Sequence, residues 1–232
     1  MRHCLVTGAN RGLGLAFVIA LLDRGARVLA CCRDPAHAET LKTLAAAHGG
    51  RLAVHALDVA NPTAITALPE VAKRHLPRLD LLINNAGMLV SGERFGNVSS
   101  ESLVESFRIN AAAPLLITQA LAPLLALGEK PRVLFISTQI ASIAQASTFR
   151  TVSYAMSKTA LNMAVRRIAA ELTPRGIVVL AAHPGWLKTD MGGKSATLDP
   201  GVSARALLEL VERAGPDQAG GFYNADGSGI PW

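Results

Sequence analysis

The chain is poor in the residues that mark most specialised protein classes. Only three of its 232 residues are cysteine, Cys4, Cys31 and Cys32. Three thiols in apolar runs exclude a disulfide framework and read as reduced groups in a cytoplasmic protein. Adjacent Cys31 and Cys32 should face opposite sides of a strand. Aromatic residues make up 4% of the chain, too few to build stacking platforms for single-stranded nucleic acid. The net charge is +6, yet no run of Lys and Arg reaches five residues. A solvated basic surface is expected, and no nucleic-acid partner. The six histidines (3, 37, 48, 55, 75 and 183) form no close-spaced set, so no metal site is expected. Apolar runs are broken by Pro, Gln or charge well before the roughly 20 residues of a membrane span. The opening "HCLVTGANRG" lacks the charged-then-apolar order of a signal peptide.

Half of the chain is hydrophobic, enough for a sizeable core. Short β-rich runs at 3–7, 27–32, 52–57, 79–84, 132–137, 177–182 and 221–224 alternate with helical patterns at 12–24, 36–47, 62–75, 99–126, 152–173 and 200–213. Several of the runs are continuously apolar, as in parallel strands covered on both faces. Such alternation predicts a parallel sheet with right-handed crossovers. No Pro/Gly/Ser-rich linker divides the chain, so residues 1–232 read as one α/β domain. Segments 86–98, 138–151 and 184–199 each follow a strand. They therefore emerge at the strands' C-terminal ends, where open α/β sheets bind ligands.

Residues 7–14, "TGANRGLG", place Gly8, Gly12 and Gly14 between a strand and a helix, with Asn10, Arg11 and Leu13 among them. Glycines allow a sharp turn and close approach to a pyrophosphate, and the helix N-terminus offers free N–H groups. A ligand-free βα turn is the plain alternative. An acid at the end of the second strand would hold a ribose hydroxyl and favour NAD. Cys32 stands there instead, followed by Arg33. Arg33 and Arg11 are suited to flank a 2′-phosphate, which favours NADP, with NAD possible. Asp34 is the rival cue, and it is also placed to cap the helix over 36–47. Asp58, with Val59 after it, is placed to accept from an adenine amino group, or to open the turn before Asn61–Pro62. In "NNAG" (84–87), small residues let the backbone lie against a cofactor ribose.

"SYAMSK" sets Lys158 one helical turn after Tyr154, on one face. Tyrosine titrates near ~10, and a neighbouring ammonium should lower it toward useful acid–base chemistry. An ordinary amphipathic helix face is the alternative. Asn110 lies four residues before Pro114, which has no N–H to offer its carbonyl. A bent helix and a carbonyl free to hold a water linked to Lys158 are expected; a surface Asn beside a kink is the alternative.

In this order, "TGANRGLG", "LDV", "NNAG", Asn110, "YAMSK" and "HPGWLKTD" resemble the short-chain dehydrogenase/reductase family. "HPGWLKTDMGG" and the terminal "GGFYNADGSGIPW" are similar to its C-factor/sniffer-like carbonyl reductase branch. The resemblance implies a single-domain Rossmann-type three-layer α/β/α sandwich with a seven-stranded parallel sheet. It implies hydride transfer between NAD(P)H and a small carbonyl or alcohol. Tyr154 would be the proton donor, Lys158 its activator, and Asn110 the support of a relay water. Pro184, Gly185, Leu187 and Thr189 would lie toward the nicotinamide, and Asn85, Ala86 and Gly87 toward its ribose. The usual catalytic serine aligns with Thr138, whose methyl stiffens χ1 and narrows the pocket. Ser137, facing the other way, and Ser142 are nearby substitutes. The family's habit of pairing its long helices implies a homodimer or homotetramer. Met88, Leu89, Trp186, Leu187 and Met191 are apolar candidates for the pocket mouth, and Gly192 and Gly193 for a lid hinge. A regulatory NAD(P)-binding protein with vestigial catalysis is the alternative function, favoured by Thr138.

Overall fold

The computed structural model describes residues 2–232. Seven strands form one sheet: β1 (His3–Thr7), β2 (Arg27–Cys32), β3 (Leu52–Ala56), β4 (Leu81–Asn84), β5 (Arg132–Ile136), β6 (Val178–His183) and β7 (Phe222–Asn224). Their order is β3-β2-β1-β4-β5-β6-β7 and every neighbouring pair is parallel. Parallel strands need both faces covered. Alternation along each strand supplies that: Cys4, Val6, Val28, Ala30 and Cys32 enter one core, and Leu5, Leu29 and Cys31 the other. Cys31 and Cys32 thus face opposite layers as expected. Burial pushes the Cys4 thiol up to about 12 and the Cys31 thiol higher still, so both are inert.

The first core is covered by α1 (Gly12–Asp23), α2 (Glu39–Ala47) and α7 (Pro200–Arg213). The second is covered by α3 (Pro62–His75), α5 (Ala113–Leu125) and α6 (Val152–Leu172). Where an Asx–Pro pair opens a helix, the start is sharp. Asn61 accepts from the Thr63 and Ala64 amides before α3, and Asp199 from the Gly201 and Val202 amides before α7. Asp34 does not cap the helix expected over 36–47. It accepts from the Ala36 amide and caps a separate 3-10 turn, Pro35–His37, so α2 begins only at Glu39.

The helix expected over 99–126 is also divided. α4 (Ser100–Phe107) runs into a π-helical turn, Arg108–Ala112, and then into α5. Pro114 cannot return a bond to the Asn110 carbonyl, and the chain widens one turn there. The Ala113 amide reaches back five residues to the Arg108 carbonyl. Together, Ser100–Leu125 is long and apolar enough to cross a membrane by length and composition. Here it is a core element, with Ile117, Leu121 and Leu125 buried against the sheet.

At the opposite end from the substrate-side loops, Asp80 staples strand starts together. Its carboxylate accepts from the His3 amide (2.8 Å), the Glu129 amide (2.7 Å) and Arg78 Nε (3.0 Å), and it is 1% exposed. Burial alone would raise this carboxyl. The Glu129 and His3 amides and the Arg78 guanidinium more than offset that and hold it below its ordinary 3.8. A depressed carboxylate stabilises the fold at pH values above its unfolded pKa, and that contribution is lost as pH falls through the folded value. Asp80→Asn should therefore cost about 1–3 kcal/mol in urea unfolding at pH 7. The gap to the parent protein should narrow below about pH 4, and a gap that stays constant with pH would refute this role.

Candidate active site

The strands' C-terminal ends form one edge, and the glycine turn lies on it beside the β1–β4 join. Gly8 and Gly12 sit at φ 64° and 52°, which other residues adopt only with strain. A Cβ at Gly14 would fall 2.1 Å from the Gly8 carbonyl oxygen, so α1 can approach the turn only through a glycine. The turn is pinned to the second strand by the Ala9 amide, which donates to the Cys31 carbonyl at 3.0 Å. Exposed Arg33 lies two residues beyond that contact. Arg11 is engaged elsewhere: it pairs with Asp190 at 2.6 Å, and both side chains are largely exposed. Such a surface pair is worth at most about 1 kcal/mol, so an anionic ligand can displace it. The Asp58 carboxylate accepts from the Ala60 amide at 2.9 Å, the turn-opening alternative, and Val59 packs into the second core.

Thr7 is a contact that the sequence did not announce. Its hydroxyl oxygen accepts from the Asn85 and Ala86 amides at 3.0 Å each, while Asn85 Nδ2 donates back to the Thr7 carbonyl at 2.9 Å. "NNAG" is thereby fastened along the glycine turn. A Cβ at Gly87 would lie 3.1 Å from Asn110 Oδ1 and 3.6 Å from Lys158 Nζ. One bare backbone position therefore joins three separately predicted motifs.

Asn110 is 0% exposed, which rules out a surface role. Its Oδ1 accepts from the Met88 amide (2.9 Å), and its Nδ2 donates to the Met88 carbonyl (2.9 Å) and to Ser157 Oγ (3.0 Å). Ser157 donates in turn to the Tyr154 carbonyl at 2.8 Å. Ser157 stands three residues after Tyr154 and hence on the same helix face, but no motif in the sequence marks it. Lys158 is 3% exposed, and its Nζ donates to the Ile136 carbonyl at 2.7 Å and sits 5.9 Å from the Tyr154 ring centroid.

Burial pushes Tyr154 up to about 12 and pulls Lys158 down to about 7. This corrects the expectation that the ammonium lowers the phenol: desolvation disfavours both charged forms, and Nζ is directed to a backbone carbonyl.

Thr138 is buried at the end of β5, in extended backbone, and does not cap the 3-10 turn Gln139–Ala141. Both substitutes are committed. Ser137 donates to Asn162 Oδ1 at 2.6 Å, and Ser142 donates to the Pro231 carbonyl at 2.5 Å. The amides of Ile143 and Ala144 also bond to Trp232, whose ring stacks on Phe222 at 5.4 Å. The terminal motif therefore supports the Thr138 segment.

Segment 184–199 folds back over the glycine turn, since Thr189 Cγ2 lies 3.1 Å from where a Gly12 Cβ would be. Pro184 is buried and accepts from Ser203 Oγ at 2.7 Å, and Gly185 takes φ 86°. Leu187, expected at the mouth, is instead packed into the first core. Gly192 is demanded by close approach rather than hinging, because a Cβ there would meet the Leu187 carbonyl at 2.0 Å. Met88 and Leu89 are half-buried, whereas Trp186 and Met191 are exposed.

A family model, short chain dehydrogenase, matches residues 2–198. The chain belongs to the short-chain dehydrogenase family. It is 39% identical to C-signal of Myxococcus xanthus over 154 residues, 66% of this chain and 93% of that protein. An uncharacterized oxidoreductase of Schizosaccharomyces pombe is 30% identical across 98% of this chain and 96% of its own. The NADPH-bound carbonyl reductase from chicken fatty liver superposes with a TM-score of 0.95 at 34% identity, covering 100% of this chain and 99% of that one. The carbonyl reductase Sniffer of D. melanogaster does so at 0.95 and 32%, covering 100% of both chains. These likenesses place the chain in the C-factor/sniffer-like branch as an NAD(P)-dependent short-chain dehydrogenase/reductase. They favour the enzyme over the regulatory alternative. The glycine cradle suits the dinucleotide that this family uses, since its backbone approaches where side chains would intrude.

The Lys158 value sets a sign for stability. An ammonium whose folded pKa is about 7 against an ordinary 10.5 leaves the folded chain with fewer protons than the unfolded chain between those values. Stability should therefore rise with pH across that window, whereas Tyr154 acts oppositely only above about 10. Without added cofactor, Lys158→Met should melt above the parent at pH 7, by about 2–4 °C per kcal/mol relieved. The difference should shrink toward pH 10; calorimetry showing a lower, pH-independent melting point would contradict it.

Proposed function

We propose that this protein is an NADP-preferring reductase of small carbonyl compounds, with Tyr154 as the proton donor. The observation that carries the reading is Gly87. At that one point the end of β4, Asn110 and Lys158 come within about 4 Å of a bare backbone edge that also adjoins the glycine turn. The NADPH-bound neighbour of chicken fatty liver supports the cofactor assignment. Gly8, Asn10, Gly12, Leu13 and Gly14 would hold the pyrophosphate, with Arg33 and a released Arg11 at the 2′-phosphate. Asp58 and Val59 would border the adenine, Asn85, Ala86 and Gly87 the inner ribose, and Pro184, Gly185, Leu187 and Thr189 the nicotinamide end.

When bound there, a reduced nicotinamide would supply the hydride. Charge then develops on the carbonyl oxygen, and Tyr154 transfers its phenolic proton there. A phenol held near 12 remains protonated throughout neutral pH, the form that a reductase needs. Thr138 donates a hydrogen bond to the same oxygen, since neither Ser137 nor Ser142 is free to do so. Lys158 and the carbonyl of Asn110, left without its Pro114 partner, hold the water that returns a proton to Tyr154. Segments 86–98, 138–151 and 184–199 flank the substrate, with Phe95, Ile143 and Trp186 offering exposed apolar surface. The buried thiols suit a cytoplasmic protein.

The purified protein should oxidise NADPH faster than NADH with a panel of aldehydes, ketones and quinones. Tyr154→Phe should lower kcat by about 10²–10⁴-fold. Arg33→Asp should raise the KM for NADPH by about tenfold or more, without the same loss for NADH. NADPH binding without turnover on any substrate would sink the reading. Val104 and Phe107 on α4, with Met156 and Met163 on α6, leave apolar side chains exposed, which supports a homodimer or homotetramer. Sedimentation at micromolar concentration should show no 24.3 kDa species as the major form.

A further inference from the structure

The helix that carries Tyr154 begins without a cap of its own. Thr151, its N-cap residue, takes the left-handed conformation (φ 44°, ψ 48°) and makes no side-chain bond to the helix. The first-turn amides of a helix nevertheless need partners. Ser153, second in α6 and directly before Tyr154, finds one 60 residues away: its amide donates to Glu93 Oε2 at 3.0 Å. Glu93 is only 7% exposed and, among the described residues, pairs with no cation. A carboxylate so buried is costly to desolvate, and the positive end of the helix dipole is the compensation at hand.

The chain around Glu93 is shaped to deliver it. Gly92 and Gly96 both take positive φ, 81° and 102°. Directly after Gly96, Asn97 closes a tight turn, accepting from the Arg94 amide at 2.6 Å and donating to the Gly92 carbonyl at 3.2 Å. Two residues past Glu93, exposed Phe95 meets Phe149 of segment 138–151 edge-to-face, 5.4 Å between centroids. Residues 92–97 thus form a clip with one buried polar tooth and one apolar one. Lys158, a turn beyond Tyr154, is fastened separately, to the Ile136 carbonyl.

We propose that Glu93 is a positioning residue that fastens the 92–97 turn to the first turn of α6, so that the substrate-side loop and Tyr154 hold one register. It rests on the reductase reading for its kinetic consequence, but its structural consequence does not. Because Lys158 has its own anchor, the cofactor side is left unaffected.

Hydrogen exchange on Glu93→Ala and Glu93→Gln, without substrate, tests the structural part. In the alanine variant, exchange across 88–98 and 152–156 should rise together by about tenfold, from loss of the cap. Glutamine keeps an oxygen acceptor and should restore protection to within about threefold. Unchanged exchange in either segment, or glutamine no better than alanine, would overturn the proposal whether or not the protein is a reductase. In turnover, Glu93→Ala should lower kcat/KM for the carbonyl by about tenfold while the Kd for NADPH moves less than about twofold. A parallel loss of NADPH binding would show general damage to the fold and refute a positioning role.

Discussion

The working edge of this molecule depends on how β1 is joined to β4. In a parallel sheet with the order 3-2-1-4, these two strands run side by side while their following helices leave toward opposite faces, opening a crevice at their C-terminal ends. Four hydrogen bonds between Thr7, Gly8, Asn85 and Ala86 set the width of that crevice. Asn85 Nδ2 also occupies the space beside Gly14, where a Cβ would lie 2.6 Å from it. The glycine turn and "NNAG" are therefore one object, held by a threonine hydroxyl and an asparagine amide. Every later placement, from Gly87 to Lys158, inherits its position from this join.

A second constraint is desolvation. Tyr154 and Lys158 are held where both resist charging, and in opposite proton states: the phenol keeps its proton and the amine tends to release one. That is an unfavourable site for the folded chain by itself, since burial withholds from each group the water that would solvate its charged form. The Ile136 carbonyl satisfies one ammonium proton and fixes the side chain's direction. The first turn of α6, with its borrowed cap, fixes the phenol.

Much of this was legible in the sequence, for reasons that differ by element. Continuous apolar runs bounded by turn residues gave strand positions to within two residues, because parallel strands must be apolar on both faces. α3 and α7 start where an Asx–Pro pair says they should. The spacing of Tyr154 and Lys158 placed both on one helix face, and Cys31 and Cys32 on opposite faces of β2. What was not legible depends on long-range partners. Thr7, Ser157 and Glu93 are ordinary residues by local pattern; only the approach of Asn85, Asn110 and Ser153 gives them roles. The pKa direction of Tyr154 failed for the same reason: proximity to lysine is visible in sequence, but burial is not.

Pro114 shows how one missing donor reshapes the helix around it. The missing N–H does interrupt the helix ladder, and a bend was the expected result. The chain inserts a π turn between α4 and α5, and both helices pack against α6. A widened turn rotates the residues within it relative to those on either side. Asn110 lies inside that turn and reaches Met88 on one side and Ser157 on the other. The proline therefore acts on the site twice, by withholding a donor from the Asn110 carbonyl and by aiming a side chain. The second effect is what ties segment 86–98 to the helix of Tyr154 from below, as Glu93 does at its start.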